Sequence, residues 1–359
     1  MRCPLCPLKK TTIAACVLLT ACTCSIFAIL KFDTLKLGRL VSIPKNDFEV
    51  PMPPLIPNLL LGGAQKCGTT ALYAALKLLS KSSNSVCFPN KLAAEEQYFA
   101  KELHFFDTNE RWREGPTFFH KRYRHCLANQ GELSIGSKQW RLDSTPSYML
   151  FPERITSFYK KYGALDDLRI IFILQEPVLR EISWYKHKKR IYVERGIPLS
   201  EGYLTSLHNY WRRKNFSELL ANNGNNSRNL ADPLLCNRGL YGPLLERWIT
   251  SMPGRRTQVL VLSYAEILED QASVLERIDG FLQLGCQKNI SCELPYRVPI
   301  RNKFSSLLYN ATETPCAYQD ELARLYEESN QGVYQLLRLN PGPPTEERPF
   351  RKFKYKCDH

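Results

Sequence analysis

The sequence predicts an α/β fold: a mostly parallel sheet flanked by helices and preceded by a single transmembrane helix. Three observations carry that expectation. Apolar runs at Leu59–Leu61, Leu168–Leu174 and Gln258–Leu262 read as buried strands. Stretches with helical spacing follow them, at Thr70–Leu79, from Pro177 to about Arg195, and at Ala272–Leu282. Strands that alternate with helices pack as a parallel sheet covered on both faces. The third observation is an uncharged run of twenty residues near the start of the chain, Thr11 to Leu30. The 359 residues suffice for one large domain with short appendages.

Residues 1–10 read as a cytosolic tail, because Arg2, Lys9 and Lys10 precede the apolar run and positive flanks stay cytosolic. At about 1.5 Å per residue, residues 11–30 span roughly 30 Å, the thickness of the hydrocarbon core. A cleaved signal peptide shares the basic start and the apolar run. The length of the run, and Lys31 with Phe32 at its end, favour an uncleaved anchor with a lumenal body. Residues 31–57 form a stem, where Pro44, Pro51, Pro53, Pro54 and Pro57 disfavour helix and sheet. Four Asn-x-Ser/Thr acceptors, at Asn215, Asn225, Asn289 and Asn310, and eight cysteines beyond the anchor agree with a lumenal location. None of these cysteines lies in a CxxC pair, so disulfides are expected rather than a zinc site. Cys286 and Cys292 are close enough to close a small loop. The body runs from 58 to 340, with an exposed Asn-rich loop at Asn222–Asn229 and a last helix over Pro315–Leu337. Residues 341–359 form a loosely ordered tail, rich in proline and then basic.

The strongest local signal follows the first strand: Gly63-Ala64-Gln65-Lys66-Cys67-Gly68-Thr69-Thr70. Small residues let the backbone curl, so that successive N–H groups converge on an anion. The N-terminus of the next helix adds about half a positive charge. This makes the sheet P-loop-like. A nucleoside-triphosphatase loop ends in Gly-Lys-Ser/Thr, with the lysine on the β/γ phosphates and the hydroxyl on magnesium. Here Gly68 is followed by Thr69, and the lysine precedes the glycine, at Lys66. That order suits a single 5′-phosphate bearing a transferable group better than a triphosphate. The plain alternative is a glycine-containing turn with no ligand.

The loop Gln65–Thr70 resembles the 5′-phosphosulfate loop of the sulfotransferase superfamily. The segment Lys101-Glu102-Leu103-His104-Phe105-Phe106-Asp107 is similar to one in carbohydrate sulfotransferases. So is Asp143-Ser144-Thr145-Pro146-Ser147-Tyr148. Leu174 to Tyr185 resembles the 3′-phosphate segment, and Gly239-Leu240-Tyr241-Gly242 with Arg247-Trp248 resembles the later glycine-x-tyrosine block. The resemblance covers about residues 58–338 and is strongest to the heparan and chondroitin group. It implies a sulfotransferase domain over 58–340, with 3′-phosphoadenylyl sulfate as donor, no metal and a glycan hydroxyl as acceptor. Together with the anchor, it implies a single-pass type II protein of the Golgi membrane.

The resemblance also implies roles for individual residues. Lys66 would bridge the 5′-phosphate and the departing oxygen. Gly68, Thr69 and Thr70 would hold the phosphate, with Cys67 a small spacer within the loop. Glu102 would be the base that takes the acceptor proton, and His104 is the second candidate. Burial against Phe105 and Phe106 would raise the Glu102 pKa, and Lys101 would oppose that. Ser183 matches the serine that contacts the 3′-phosphate. Two departures stand out. Gln175-Glu176-Pro177 occupies the place of an arginine-aspartate-proline triplet, so Gln175 donates a hydrogen bond without a charge. Arg301 and Lys303, in a basic C-terminal loop, are the expected replacement. Ser144 stands where some heparan enzymes carry lysine.

The formal net charge of +14 points to anionic partners. No arginine-rich tract or zinc-finger spacing supports nucleic acid. An anionic polysaccharide is therefore the expected partner. Arg111, Arg113, Lys121, Arg122, Arg124 and the run Lys186 to Arg190 are candidates to line its groove, although a charge run is usually a solvated face. Two rivals remain at this stage. One is a lumenal P-loop kinase, which lacks its Gly-Lys-Ser/Thr. The other is an inactive glycan-binding homologue, suggested by Gln175.

Overall fold

A computed structural model describes residues 55–83, 85–90, 101–128, 138–194, 238–284, 316–339, 350–355 and 357. The expected anchor, residues 31–54 of the expected stem, Arg301, Lys303, the four glycosylation acceptors, Cys286 and Cys292 lie outside these residues. The end of the stem is corrected, since Leu55 and Ile56 are buried in the core rather than part of a tether. Among the described residues, no helix is long and apolar enough to cross a membrane.

Five strands form one parallel sheet in the order β2-β3-β1-β4-β5. They are β1 (Leu59–Gly63), β2 (Val86–Cys87), β3 (Trp140–Asp143), β4 (Arg169–Leu174) and β5 (Val259–Ser263). β1 is central, pairing Leu60 with Asp143 on one side and with Ile170 on the other. The chain builds one flank (β2, β3), then crosses β1 to build the other (β4, β5). The crevice at such a switch, outside the carboxyl ends of the strands, is where open α/β sheets bind ligands. Leu59 to Leu61 and Ile170 to Leu174 are fully buried, as strands covered on both faces must be.

The helices are α1 (Thr69–Ser83), α2 (Asn109–Arg113), α3 (Thr117–Ala128), α4 (Pro152–Lys161), α5 (Pro177–Glu194), α6 (Tyr241–Ser251), α7 (Arg255–Gln258), α8 (Tyr264–Glu269), α9 (Gln271–Leu282) and α10 (Cys316–Leu339). The three expected strands and the helices that follow them are present. β2, β3, α3, α4 and α6 were not legible from periodicity. β3 reads Trp-Arg-Leu-Asp, and its buried Asp143 breaks the apolar signal.

Phe105, Phe106, Phe118, Phe119 and Phe158 pack ring against ring between α3 and α4, with centroids 4.4–6.2 Å apart. Each aromatic pair adds about 0.5–1.5 kcal/mol beyond the area it buries. α10 packs closely on α6: a Cβ at Gly242 would lie 2.6 Å from the Ser329 carbonyl oxygen, and the Gly242 amide donates to Ser329 Oγ at 3.0 Å. Among the described residues, two disulfides, Cys87–Cys126 and Cys316–Cys357, join distant segments. The second bears on the expected tail only at its described residues, 350–355 and 357, which are packed against the body. Cys357 is tied to the start of α10, Phe353 rests on Tyr334 and Tyr241, and Tyr355 donates to Asp320 at 3.1 Å. Aromatic residues placed among the basic ones supply this packing.

Candidate active site

The phosphate loop leaves β1 and enters α1 over residues 64–68. It is tied to the sheet by the Ala64 amide, which donates to the Ile173 carbonyl at 2.8 Å. Lys66 adopts φ 70° and Gly68 φ 89°. The left-handed region costs a side chain steric energy. At Gly68 it is also blocked, since a Cβ there would lie 2.6 Å from the Tyr264 ring. The first N–H groups of α1 have no carbonyl four residues back within the helix. Lys66 and Thr70 are half-buried and Thr69 is buried at the same turn. Cys67 points inward, its thiol 3.5 Å from the Tyr241 hydroxyl, and burial pushes its pKa up. Its side chain therefore fills space beneath the loop, as a spacer does.

The Lys101–Asp107 segment lies on the end of β3, beside β1. Asp143, fully buried, accepts from the Leu103 amide at 3.3 Å, Thr145 Oγ1 at 2.7 Å and the Tyr148 hydroxyl at 2.7 Å. Tyr148 in turn accepts from the Phe105 amide at 2.9 Å, and Thr145 from the His104 amide at 3.2 Å. Burial raises the Asp143 pKa to about 6 even against these hydrogen bonds. Three hydrogen bonds thus lace the Lys101–Asp107 segment to the Asp143–Tyr148 segment, two more brace the latter internally, and together they fix where Glu102 and His104 stand.

Glu102 Oε1 accepts from Lys101 Nζ at 2.7 Å, and Glu102 Oε2 lies 3.4 Å from His104 Nε2. His104 Nδ1 meets Asp107 Oδ2 at 2.8 Å, and Ser147 Oγ also bonds that oxygen. Burial works to raise the Glu102 pKa, but His104 and Lys101 together hold it down at about 2. For His104, burial is likewise outweighed, and its two carboxylate neighbours lift it to about 9. The structure therefore corrects the expectation that Phe105 and Phe106 raise Glu102. Both rings turn into the aromatic core, and ion pairing dominates the carboxylate. With each imidazole nitrogen facing a carboxylate, His104 is held in its charged form at pH 7.

On the other flank, Gln175 follows β4 half-buried, with its backbone bonded to the Cys67 thiol. Glu176 caps α5: its Oε2 accepts from the Leu179 amide at 2.8 Å. Ser183 is half-buried on α5. Arg180 is fully buried and bonded to Glu181. Arg122 leaves the proposed groove: it is buried against the Phe118 ring, 3.7 Å from its centroid. Arg113, Lys121 and Arg124 are exposed. Sequence reasoning passed over Arg238 and the structural role of Asp143. Arg238 sits directly before the Gly239-Leu240-Tyr241 block, and that adjacency was its one signal.

The loop bearing Lys66 after β1 and the carboxylate–imidazole cluster held to the end of β3 thus stand at the carboxyl ends of adjacent strands. The sulfotransferase domain family model matches residues 57–294, and the chain belongs to that family. Its relatives include a Drosophila melanogaster protein named bifunctional heparan sulfate N-deacetylase/N-sulfotransferase, 23% identical over 68% of this chain and 21% of its own length. The human protein named bifunctional heparan sulfate N-deacetylase/N-sulfotransferase 2 is 25% identical over 63% of this chain and 22% of its own. The chain thus spans about a fifth of the length of these relatives. Among solved structures, a sulfotransferase from Alicyclobacillus acidocaldarius aligns over 79% of this chain and 96% of that one, with 22% identity and a TM-score of 0.46. Membership of the family sets aside the kinase alternative.

Proposed function

We propose that this sulfotransferase moves a sulfuryl group from 3′-phosphoadenylyl sulfate to a hydroxyl of an anionic glycan. The observation that carries the proposal is the juxtaposition of two strand ends. The loop bearing Lys66 follows β1, and Glu102 is held to the end of the adjacent β3 through Asp143. The donor group fits the residues present. Gly68 opens a turn that a side chain would close, and buried guanidinium nitrogens of Arg180 and Arg238 have no acceptor among the described residues. Lys66, Gly68, Thr69 and Thr70 would hold the 5′-phosphate, and Ser183 would face the 3′-phosphate. Bound there, the donor supplies an activated sulfuryl group with adenosine 3′,5′-bisphosphate as leaving group. Lys66 would stabilise negative charge on the departing oxygen. Glu102 would orient the acceptor hydroxyl and receive its proton. A carboxylate with a low pKa serves if the proton leaves late, when the hydroxyl has become acidic. Lys101 and His104 keep Glu102 ionised and aimed for that moment.

The glycan acceptor is supported by the names of the relatives and by the net charge of +14. A lumenal, Golgi type II placement is supported by the apolar run 11–30 and by two disulfides, which persist in oxidising compartments. Calorimetry on the purified chain tests the donor. Adenosine 3′,5′-bisphosphate should bind equally with and without magnesium, and a preference for ATP–magnesium would sink the proposal. Labelled donor offered with desulfated glycans, presenting hydroxyl or amino acceptors, then reads the acceptor. Donor binding with no transfer to any of them would leave an inactive glycan-binding homologue.

A further inference from the structure

Two buried arginines stand together beside the phosphate loop. Arg180 is fully buried on α5, and Arg238, 8% exposed, precedes α6. Glu181 is bonded to Arg180. Among the described residues, Nε and Nη1 of both arginines, four nitrogens in all, have no hydrogen-bond partner. Arg238 lies over the Trp184 ring at 5.1 Å from its centroid. Arg180, Ser183, Trp184 and His187 fall at i, i+3, i+4 and i+7, so they share one face of α5, and Arg238 leans on that face. Tyr241, three residues after Arg238, holds its hydroxyl 3.5 Å from the Cys67 thiol under the loop, so Arg238 enters α6 beside the 5′-phosphate turn.

We infer that Arg238 is a ligand for the donor's 3′-phosphate and supplies the charge that Gln175 lacks, an assignment that rests on the donor proposed above. Buried charges must be paired, and buried N–H groups need acceptors. Among the described residues, one bonded carboxylate serves two guanidinium groups, so one positive charge and four donor atoms are left over. A phosphate supplies both the missing charge and several acceptor oxygens. A sugar hydroxyl supplies neither a charge nor more than one oxygen. A polysaccharide also needs an open groove, whereas this pair is enclosed. Burial, with the like charge of Arg180 adding to it, drives Arg238 down to about 10 against the pull of Glu181 and Asp107. An incoming anion relieves that cost.

Titration of the whole chain with adenosine 3′,5′-bisphosphate and with adenosine 5′-monophosphate isolates the 3′ contact as a ratio of affinities. Arg238→Gln should weaken the bisphosphate about 10- to 100-fold, the cost of one charged hydrogen-bonding group, and leave the monophosphate unchanged. Gln175→Arg in the Arg238→Gln background should restore most of the ratio, which a merely structural arginine would not allow. If Arg238→Gln does not fold, Arg238→Lys takes its place. It keeps the charge but not the planar fork, and should cost the bisphosphate several-fold. An unchanged ratio overturns the assignment, as does an equal loss of both nucleotides or a loss confined to the KM for glycan. A wild-type chain that does not distinguish the two nucleotides overturns the donor proposal itself, and this assignment with it.

Discussion

The two flanks of the sheet's carboxyl edge are built differently. On the β3 flank the charges answer one another: Lys101 with Glu102, Glu102 with His104, His104 with Asp107, and Asp143 with three donors. On the β4 flank the partners run out, since Glu181 pairs with Arg180 and two guanidinium groups keep unanswered nitrogens. Paired charges hold their members in one geometry, even though Asp107 Oδ1 and Ser144 Oγ on that flank have no hydrogen-bond partner among the described residues. An unbalanced network raises the energy of the free protein and lowers it again when a matching ion arrives. The first arrangement suits a base that must be aimed. The second suits a strongly charged donor that must be held and released.

The largest expected effect breaks the comparison at Glu102. Glu102→Gln keeps the shape of the side chain and removes its basicity. Turnover should fall on the order of 10²–10⁴-fold, while affinity for adenosine 3′,5′-bisphosphate stays near wild type. Single-turnover kinetics and calorimetry on one preparation separate the two. Near-normal turnover would move the base elsewhere, and His104→Ala is then the next variant to measure.

Stability sharpens the comparison. Asp143→Ala leaves the Leu103 amide and two hydroxyls without their acceptor, at about 1–3 kcal/mol for each donor that stays dry. Denaturant unfolding should show a loss of at least about 2 kcal/mol. Arg238→Gln removes an under-compensated buried charge, and ligand-free stability should hold or rise. If Arg238→Gln proves the more damaging of the two, the distinction between the flanks is wrong.

The smallest effect is in pH. His104 has its pKa raised from 6.5 to about 9, so its contribution to stability is complete below 6.5 and fades as pH rises through 9. Glu102 has its pKa lowered from 4.5 to about 2, so its contribution is complete above 4.5 and fades as pH falls through 2. Both hold between 4.5 and 6.5. The alkaline limb of kcat/KM should therefore lie near 9 and vanish in His104→Gln. A limb near 6.5 that His104→Gln abolishes would mean that the imidazole is free of its carboxylates.

The sequence by itself determined the local parts. Leu59–Leu61 and Leu168–Leu174 declared buried strands because consecutive apolar side chains have nowhere else to go. The turn from Gly63 to Thr70 was legible as a glycine-bearing strand-to-helix turn because its spacing is a property of one short backbone segment. The Glu102 and His104 segment was legible as a motif, but the protonation of its members was not. That depends on Asp107 and Lys101 turning toward them and the phenylalanines turning away. Only the tertiary structure decided the rest. It set Asp143 under Leu103, forty residues apart, and joined Cys316 to Cys357, forty-one apart. It also brought Arg238 onto the Trp184 face of α5. Whether a buried charge is paired or orphaned is a sum over neighbours in space, and chain order does not contain that sum.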